Sequence, residues 1–519
     1  MLNEGLGSWP QRRVLKSPTG VATIFRDKKL SYPELADRSY AFASVLREWG
    51  IAKGSRVAYL GENHPSFLET FFGTTALGAL FVAINTRIMP PEINYILNDS
   101  GAEVLVVSAA LRDTAEAAIE GTKVQHLLVV PDELITGSEK VSQVGQVHTA
   151  NFEDIIREGD PVYVDVEVTL EDPAYIMYTS GTTGNPTGAL LLHRNLTWNS
   201  YNVLVDYDVV SSDIAVMISP MFHSAAFGMG TLPILLKGGT LLLEPGFDPG
   251  RVLELIQKYK ATSISGVPTT YQMLTEHAAW VGTDISSLRN LTCGGSPVPI
   301  RVLEAYEDRG LSFTGGYGMT EASPGVTSLQ PSRSRDKMGS AGLPHFFTSV
   351  RIVDEHGKEL PAGEAGEIQV KGPNVIEQYW NLPEASAAAF ETGGWFKSGD
   401  VGYLDSDGFL FISDRLKDMI ISGGENIYPA EIEKLLMELP EVGTAAIFGV
   451  PDEKWGEVPW GAIVLMPGAQ ISEDALREHL TGKLAKYKIP KKYFFVDELP
   501  RTASGKVKKN DLRKQYGSN

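Results

Sequence analysis

Residues 30–125 and 203–325 alternate amphipathic helical patterns with short, β-branched apolar runs, and that alternation admits few folds. LSYPELADRSYAFASVLREWG reads as a helix closed by Gly50 and SRVAYLG as a strand, and FLETFFGTTALGALFVAI with AEVLVVS repeats the pairing. Helices interleaved with strands in this way cover a sheet, so the expected class is α/β. In the second stretch IAVMISP, GTLLLEP, ATSISGVP and LSFTGGYG each end in turn residues where a strand should stop. Ligands of open α/β sheets collect beyond the carboxyl ends of their strands, which directs attention to those loops.

The remainder of the chain has a different texture. Residues 132–172, rich in Glu, Asp, Gly and Ser, read as a surface connection. From 326 to 412 the runs VRIVDE, GEIQVKG and GFLFISD sit between Gly/Pro turns and predict a small antiparallel, barrel-like subdomain. DRLKD (414–418) fits neither neighbour and reads as a linker, followed by a smaller α/β module with helices PAEIEKLLMEL and DALREHLTGKLAKY. The expected division is a large N-terminal domain of α/β subdomains over 1–414, a hinge at 415–417 and a small, mobile C-terminal domain over 418–519. A chain of 519 residues is long enough for two to four such units.

Charge and cysteine content narrow the function classes. The formal charge is −18; residues 415–519 hold 16 Lys and Arg against 15 Asp and Glu, a balance of +1, so residues 1–414 carry −19. Nucleic acid is therefore not an expected partner, while a Lys-rich module beside an acidic body suits a small anionic ligand. The longest apolar stretch, Ala76 to Ile84, is too short for a membrane span, and MLNEGLGSWPQRR has no signal-peptide character, so the expected location is the cytoplasm. The lone Cys293 excludes an intramolecular disulfide, and the nine scattered histidines do not suggest structural zinc. The surface pattern neither requires nor forbids a homo-oligomer.

The stretch Tyr178 to Gly188, YTSGTTGNPTG, places hydroxyls and glycines directly after an apolar run. Glycines let successive backbone N–H groups converge on an anion, and Ser and Thr hydroxyls add donors, so the loop suits phosphate. Four further motifs follow in order: GYGMTE (316–321), WFKSGD (395–400), DRLKD and PRTASGK (500–506). With these five motifs the whole chain resembles the adenylate-forming superfamily, and within it an acyl-CoA synthetase. The resemblance implies two steps. A carboxylate attacks the α-phosphorus of ATP, giving acyl-adenylate and pyrophosphate, and the thiol of coenzyme A then displaces AMP. Both steps gather negative charge, so donors and cations aimed at that charge should carry catalysis.

Carried over position by position, the resemblance assigns Thr179, Ser180, Gly181, Thr182 and Thr183 to the β- and γ-phosphates, Thr320 to the α-phosphate and Glu321 to Mg2+. Gly295, Ser296, Pro297, Tyr317, Gly318 and Met319 would surround the nucleotide, with Tyr317 stacked on adenine; Asp400 would hold the ribose with help from Arg415. Ser398 stands where the family usually has Thr and retains the hydroxyl. Lys506 matches the catalytic lysine of the first step, and Lys417 the pivot about which the C-terminal domain turns for the second, when Gly423 and Gly424 would line the pantetheine channel. Five lysines between Lys483 and Lys492 are candidates for the phosphates of coenzyme A. The acid would lie among His223, Ala226, Val267, Gly294 and Gly316, where many small residues leave volume for a bulky or long apolar acid; His223 would be a gate or wall rather than a base.

Two positions depart from the family pattern. Thr187 replaces a lysine of the phosphate loop and Gly315 replaces a glutamine before GYG, whereas Lys417, Gly423 and Gly424 follow the pattern. The sequence thus supports a two-step ligase, with a second form that only joins preformed acyl-adenylate to coenzyme A. An adenylation enzyme loading a carrier protein, a luciferase-like oxygenase and a non-catalytic nucleotide sensor share the scaffold and are weaker readings.

Overall fold

The computed structural model describes residues 2–132, 142–179, 186–294, 298, 300–415, 418–422, 425–452, 455–481, 483–484, 486–501 and 507–517. The chain divides into two units, Met1–Val350 with Val370–Phe396, and Arg351–Gln369 with Lys397–Asn519.

The first unit is built on two sheets whose strands are the apolar runs of the sequence. The seven-stranded sheet runs, from one edge, His148–Asn151, His126–Val130, Val104–Ser108, Arg56–Leu60, Leu80–Ile84, β1 (Pro173–Thr179) and β2 (Thr187–Leu192). Only β2 is antiparallel to its neighbour. From β2 the chain enters the helix α1 (His193–Asp206) and then the nine-stranded sheet. There β3 (Ile214–Met217), β4 (Ser263–Gly266), β5 (Asn290–Cys293) and β6 (Phe313–Gly318) lie side by side and parallel, and β7 (Gly325–Leu329) returns antiparallel beside β6.

Helix boundaries follow local chemistry. The helix Tyr32–Glu48 begins at a reciprocal cap between Ser31 and Glu34 and ends before Gly50, whose φ of +84° suits glycine. Burial of its apolar face, with Phe42 and Leu46 fully buried, supplies the stability that propensity alone does not. Across this helix Arg38 bridges Glu69 at 2.7 Å and Glu153 at 2.6 Å, so the buried Glu69 carboxylate is paired. Phe227 inserts among Phe71 (4.8 Å between centroids), Phe67 and Tyr175, tying a segment of the nine-stranded half to the core of the seven-stranded sheet.

Residues Ser349–Val353, Gly366–Lys371, Phe390–Glu391, Trp395–Leu404 and Leu410–Arg415 form a curled five-stranded sheet, the half-barrel that the Gly/Pro-punctuated runs foretell. The C-terminal module has its own sheet, with Val442–Asp452 and Gly456–Leu465 as a long antiparallel pair, and a core including Ile420, Ile432, Ile447, Leu476 and Leu480.

Three expectations change in detail. The segment 132–172 is not solely a connection, since it contains the strand His148–Asn151 and the helix Phe152–Glu158. Asn151 caps that helix through its side chain, and buried Phe152 and Ile155 hold it on the sheet. The helix expected over DALREHLTGKLAKY stops at Leu480: Thr481 turns extended, and a Thr-Gly pair at 481–482 is a poor continuation. β-structure also reaches Arg415, inside the stretch read as linker. Among the described residues no helix is long and apolar enough to cross a membrane.

Candidate functional site

The parallel strands place several candidate residues in one row. Gly266 pairs with Cys293 and Cys293 with Gly315, so Val267, Gly294 and Gly316 follow in the same register, the first two just beyond the carboxyl ends of β4 and β5 and the third within β6. The row is not uniformly crowded. Among the described residues, a Cβ added to Gly294 would meet nothing within 4 Å, and one at Gly315 only ordinary contacts at 3.9 and 4.0 Å. At Gly316 it would lie 2.7 Å from the Thr327 carbonyl oxygen, and at Gly318 2.1 Å from that of Pro324. The two glycines of GYG are therefore demanded by the close return of the chain at β7, and Tyr317 between them takes the other face of the strand. Cys293 beneath this row is buried, and desolvation pushes its thiol up to about 12, so it stays neutral and is no nucleophile.

His223 and Ala226 follow β3. His223 is half-buried, with its ring 4.5 Å from that of Phe222, and its carbonyl accepts from the Phe227 N–H at the start of a π-helical turn, Ala225–Thr231. Ala226 is buried in the core beside Phe227, whereas Val267 is 44% exposed. Between them, the Ser224 hydroxyl lies 3.2 Å from that of Thr320, bringing the segment assigned to the acid against the segment assigned to the α-phosphate.

Thr320 and Glu321 open a 3-10 turn after β6. The Glu321 carbonyl accepts from Ile376 N–H at 2.8 Å, and its Oε1 accepts from the Tyr379 hydroxyl at 3.1 Å. Burial, reinforced by the Glu321 charge, raises the Tyr379 phenol well above its ordinary range and keeps it a donor. Tyr379 belongs to a segment that runs beside β2: Ala189 bridges Tyr379, Gln378 O accepts from Leu190 N–H, and Gly188 O accepts from Trp380 N–H at 2.7 Å.

β1 and β2 form the hairpin that carries the candidate phosphate loop. Tyr178 pairs with Gly188 and Thr179 with Thr187, and the Thr179 hydroxyl reaches the Thr187 carbonyl at 3.4 Å. At its base Tyr178 donates to the Asp99 carboxylate, while Trp380 Nε1 and Asn381 Nδ2 donate to the Asp99 carbonyl. Ser180, Gly181, Thr182 and Thr183 lie outside the described residues, as do Gly295, Ser296, Pro297, Lys417, Gly423, Gly424 and Lys506.

α1 supplies a support that the motif reading missed. Asn195, Asn199 and Asn202 are fully buried on one helical face. Asn199 donates to Gly228 O at 2.8 Å and accepts from Gly325 N–H at 2.9 Å, joining the π-helical turn to the chain just after Glu321. Asn195 donates to Pro373 O and Val375 O, and Asn202 accepts from Phe347 N–H and donates to the Thr348 hydroxyl. Asn374 closes the set by donating to the carbonyls of Ala322 and Gly325. The available signal was three amides at i, i+4 and i+7 where an amphipathic helix should present apolar residues.

In the second unit Asp400 pairs in register with Arg415 across an antiparallel ladder. Ser398 donates to Ile368 O at 2.6 Å and accepts from Asp400 N–H at 3.0 Å, so its hydroxyl helps fix the Asp400 backbone. Three of the five candidate lysines are engaged: Lys483 with Glu438, Lys488 with Glu431 and Lys491 with Asp452. Lys492 lies over the rings of Trp460 and Phe494.

Residues 10–380 match the AMP-binding enzyme family and residues 431–506 match the AMP-binding enzyme C-terminal domain. The chain is 47% identical to a feruloyl-CoA synthase of Amycolatopsis sp, over 100% of both chains. It is 38% identical to an indoleacetate–CoA ligase of Aromatoleum aromaticum, over 98% of this chain and 97% of that one. Among solved structures, o-succinylbenzoate CoA synthetase from Bacillus subtilis superposes with a TM-score of 0.85 at 32% identity. The match covers 98% of this chain and 98% of the other in the complex with the acyl-adenylate intermediate, and 98% and 99% in the complex with ATP and magnesium ion.

Proposed function

We propose that this chain, which belongs to the AMP-binding enzyme family and is an acid–thiol ligase forming acyl-CoA through an acyl-adenylate, acts on a bulky apolar carboxylic acid carrying an aromatic ring. The observation that carries the substrate class is the space at Gly294, where an added Cβ would meet none of the described residues, at the end of β5 and in register between Val267 and Gly316. Two relatives named for feruloyl and indoleacetyl substrates support an aromatic acid over a straight chain.

ATP or acyl-AMP, Mg2+ and coenzyme A are the expected cofactors and cosubstrates. The donor set fits magnesium: a carboxylate at Glu321 and the hydroxyl of Thr320 beside it are hard oxygens, and Mg2+ takes one or two protein oxygens with the rest from phosphate and water. When bound, that ion would neutralise charge on the polyphosphate. Thr320 would donate to the α-phosphate, Asp400 would accept from the ribose hydroxyls, and Lys506 would offset repulsion between the acid and the α-phosphate. In the first step the carboxylate oxygen forms a bond to the α-phosphorus and the bond to pyrophosphate breaks. In the second the thiol sulfur bonds to the acyl carbon, AMP leaves and the thiol proton is released.

The deciding experiment gives the purified protein Mg-ATP, coenzyme A and a panel of acids from acetate to aryl-acrylic and aryl-acetic acids. Aromatic acids should have the highest kcat/KM; faster turnover of acetate would end the pocket argument. A second reading rests on Thr187, which pairs directly with Thr179 at the base of the phosphate hairpin where the family carries a lysine. Loss of one charge-assisted hydrogen bond removes about 1.5–3 kcal/mol, or roughly ten- to a hundredfold in rate. On that reading the protein handles synthetic acyl-adenylate plus coenzyme A efficiently and releases pyrophosphate from ATP slowly. Rapid pyrophosphate release would exclude it.

A further inference from the structure

We infer that Tyr379 is a positioning residue for the first half-reaction: it aims the Glu321 carboxylate and couples it to the phosphate hairpin. This rests on the assignment of Glu321 as a magnesium ligand. A glutamate side chain has three rotatable bonds, and a carboxylate that must meet a metal ion loses affinity when it samples several rotamers. Here the backbone of Glu321 is pinned through its carbonyl by Ile376 N–H at 2.8 Å, and its side chain is held three residues further on by the Tyr379 hydroxyl at 3.1 Å. One short segment thus fixes both ends of the residue.

The same segment has a second attachment. Tyr379 bridges Ala189, and its neighbours exchange hydrogen bonds with Gly188 and Leu190, at the end of the phosphate-loop stretch and just beyond it. A displacement of β2 therefore moves Tyr379, and with it the oxygen to which it donates. The tyrosine is half-buried, and its hydroxyl donates to one named oxygen of the carboxylate, Oε1. Trp380, next in sequence, anchors the segment by donating from Nε1 to Asp99 O, which lies beside the Tyr178 contact at the hairpin base.

The test compares the full-length protein with Tyr379→Phe and Glu321→Gln. Mn2+ is titrated in the presence of a non-hydrolysable ATP analogue, with free Mn2+ read by electron paramagnetic resonance, and both half-reactions are assayed separately. Loss of a partner that orients a metal ligand typically costs 10–100-fold. Tyr379→Phe should therefore weaken Mn2+ binding by about tenfold and raise KM for Mg-ATP. Coupling of synthetic acyl-adenylate to coenzyme A should stay within about twofold, a readout that a merely structural role would also depress. Unchanged Mn2+ affinity in Tyr379→Phe, with weakened binding in Glu321→Gln, overturns the role of Tyr379 alone. Unchanged affinity in Glu321→Gln, or no Mn2+ binding by the unsubstituted protein, overturns the ligand assignment and the inference with it. An equal fall in both half-reactions overturns the positioning role.

Discussion

Replacing Asn199 by alanine probes the support beneath the candidate site. The side chain is fully buried and makes two hydrogen bonds to backbone groups, to Gly228 O at 2.8 Å and from Gly325 N–H at 2.9 Å. Truncation strands one carbonyl and one N–H away from water, and each unsatisfied group costs about 1–3 kcal/mol, so the large unit should lose roughly 2–6 kcal/mol. With an unfolding entropy of about 2.1 cal/mol/K per residue over the roughly 380 residues of that unit, this corresponds to a melting temperature lower by about 3–7 °C. Calorimetry measures the drop, and amide exchange should localise the loosening to residues 225–231 and 320–325. Asn202→Ala, which also loses two buried hydrogen bonds, should lower the melting temperature comparably while adenylation suffers less. A shift below about 1 °C for Asn199→Ala would mean that both backbone groups find new partners, and the account of α1 as a support would fail.

Gly294→Val should fill the open space at the end of β5, raising KM for aromatic acids and shifting preference toward smaller ones in the same acid panel, with little change in melting temperature. Thr187→Lys should speed ATP–pyrophosphate exchange by about tenfold or more and leave adenylate-to-thioester coupling unaltered. Arg38→Met should remove about 3–5 kcal/mol by leaving the buried Glu69 unpaired, read as a lower melting temperature of the large unit. His193 and His64 are buried and neutral, with pKa values lowered by desolvation to about 4 and about 3. Their unfolded forms protonate near 6.5, so their share of stability is complete above that pH and lost as pH falls toward the folded values. Melting temperatures should therefore decline from pH 6.5 to 5 with an excess uptake of about two protons on unfolding.

The periodicity of the apolar runs was enough to foresee α/β sheets covered by helices and the carboxyl-end location of the candidate loops, because both follow from local pattern and from the geometry of α/β folds. It could not reveal Tyr379. Its partner Glu321 is 58 residues away, and QYWN carries no period or composition that sets it apart from a turn. The asparagines of α1 were missed for a related reason. A buried amide is costly unless both its functions are satisfied, and the partners that satisfy Asn199 lie 29 and 126 residues downstream. Where the chain needed irregular backbone near the strand ends, it met the hydrogen-bonding demand with side chains from one regular helix.

The glycines show why a count of small residues overstates a pocket. In the sequence Gly228, Gly294 and Gly316 suggest room for a large acid, and Gly318, read as part of the nucleotide site, looks no different from them. The structure separates them into two kinds. A Cβ at Gly228 would lie 2.3 Å from Ser323 O, and those at Gly316 and Gly318 would also strike backbone oxygens, so these three permit close packing of the chain and leave no volume. Among the described residues, Gly294 alone of the four has no atom within reach of an added Cβ, and Gly315 tolerates a side chain at ordinary contact distance. Packing glycines keep the Thr320 and Glu321 turn tight against the π-helical turn. On the proposed function, substrate size would be governed by the end of β5, so that specificity could change at one strand end while the segments assigned to the phosphates keep their backbone.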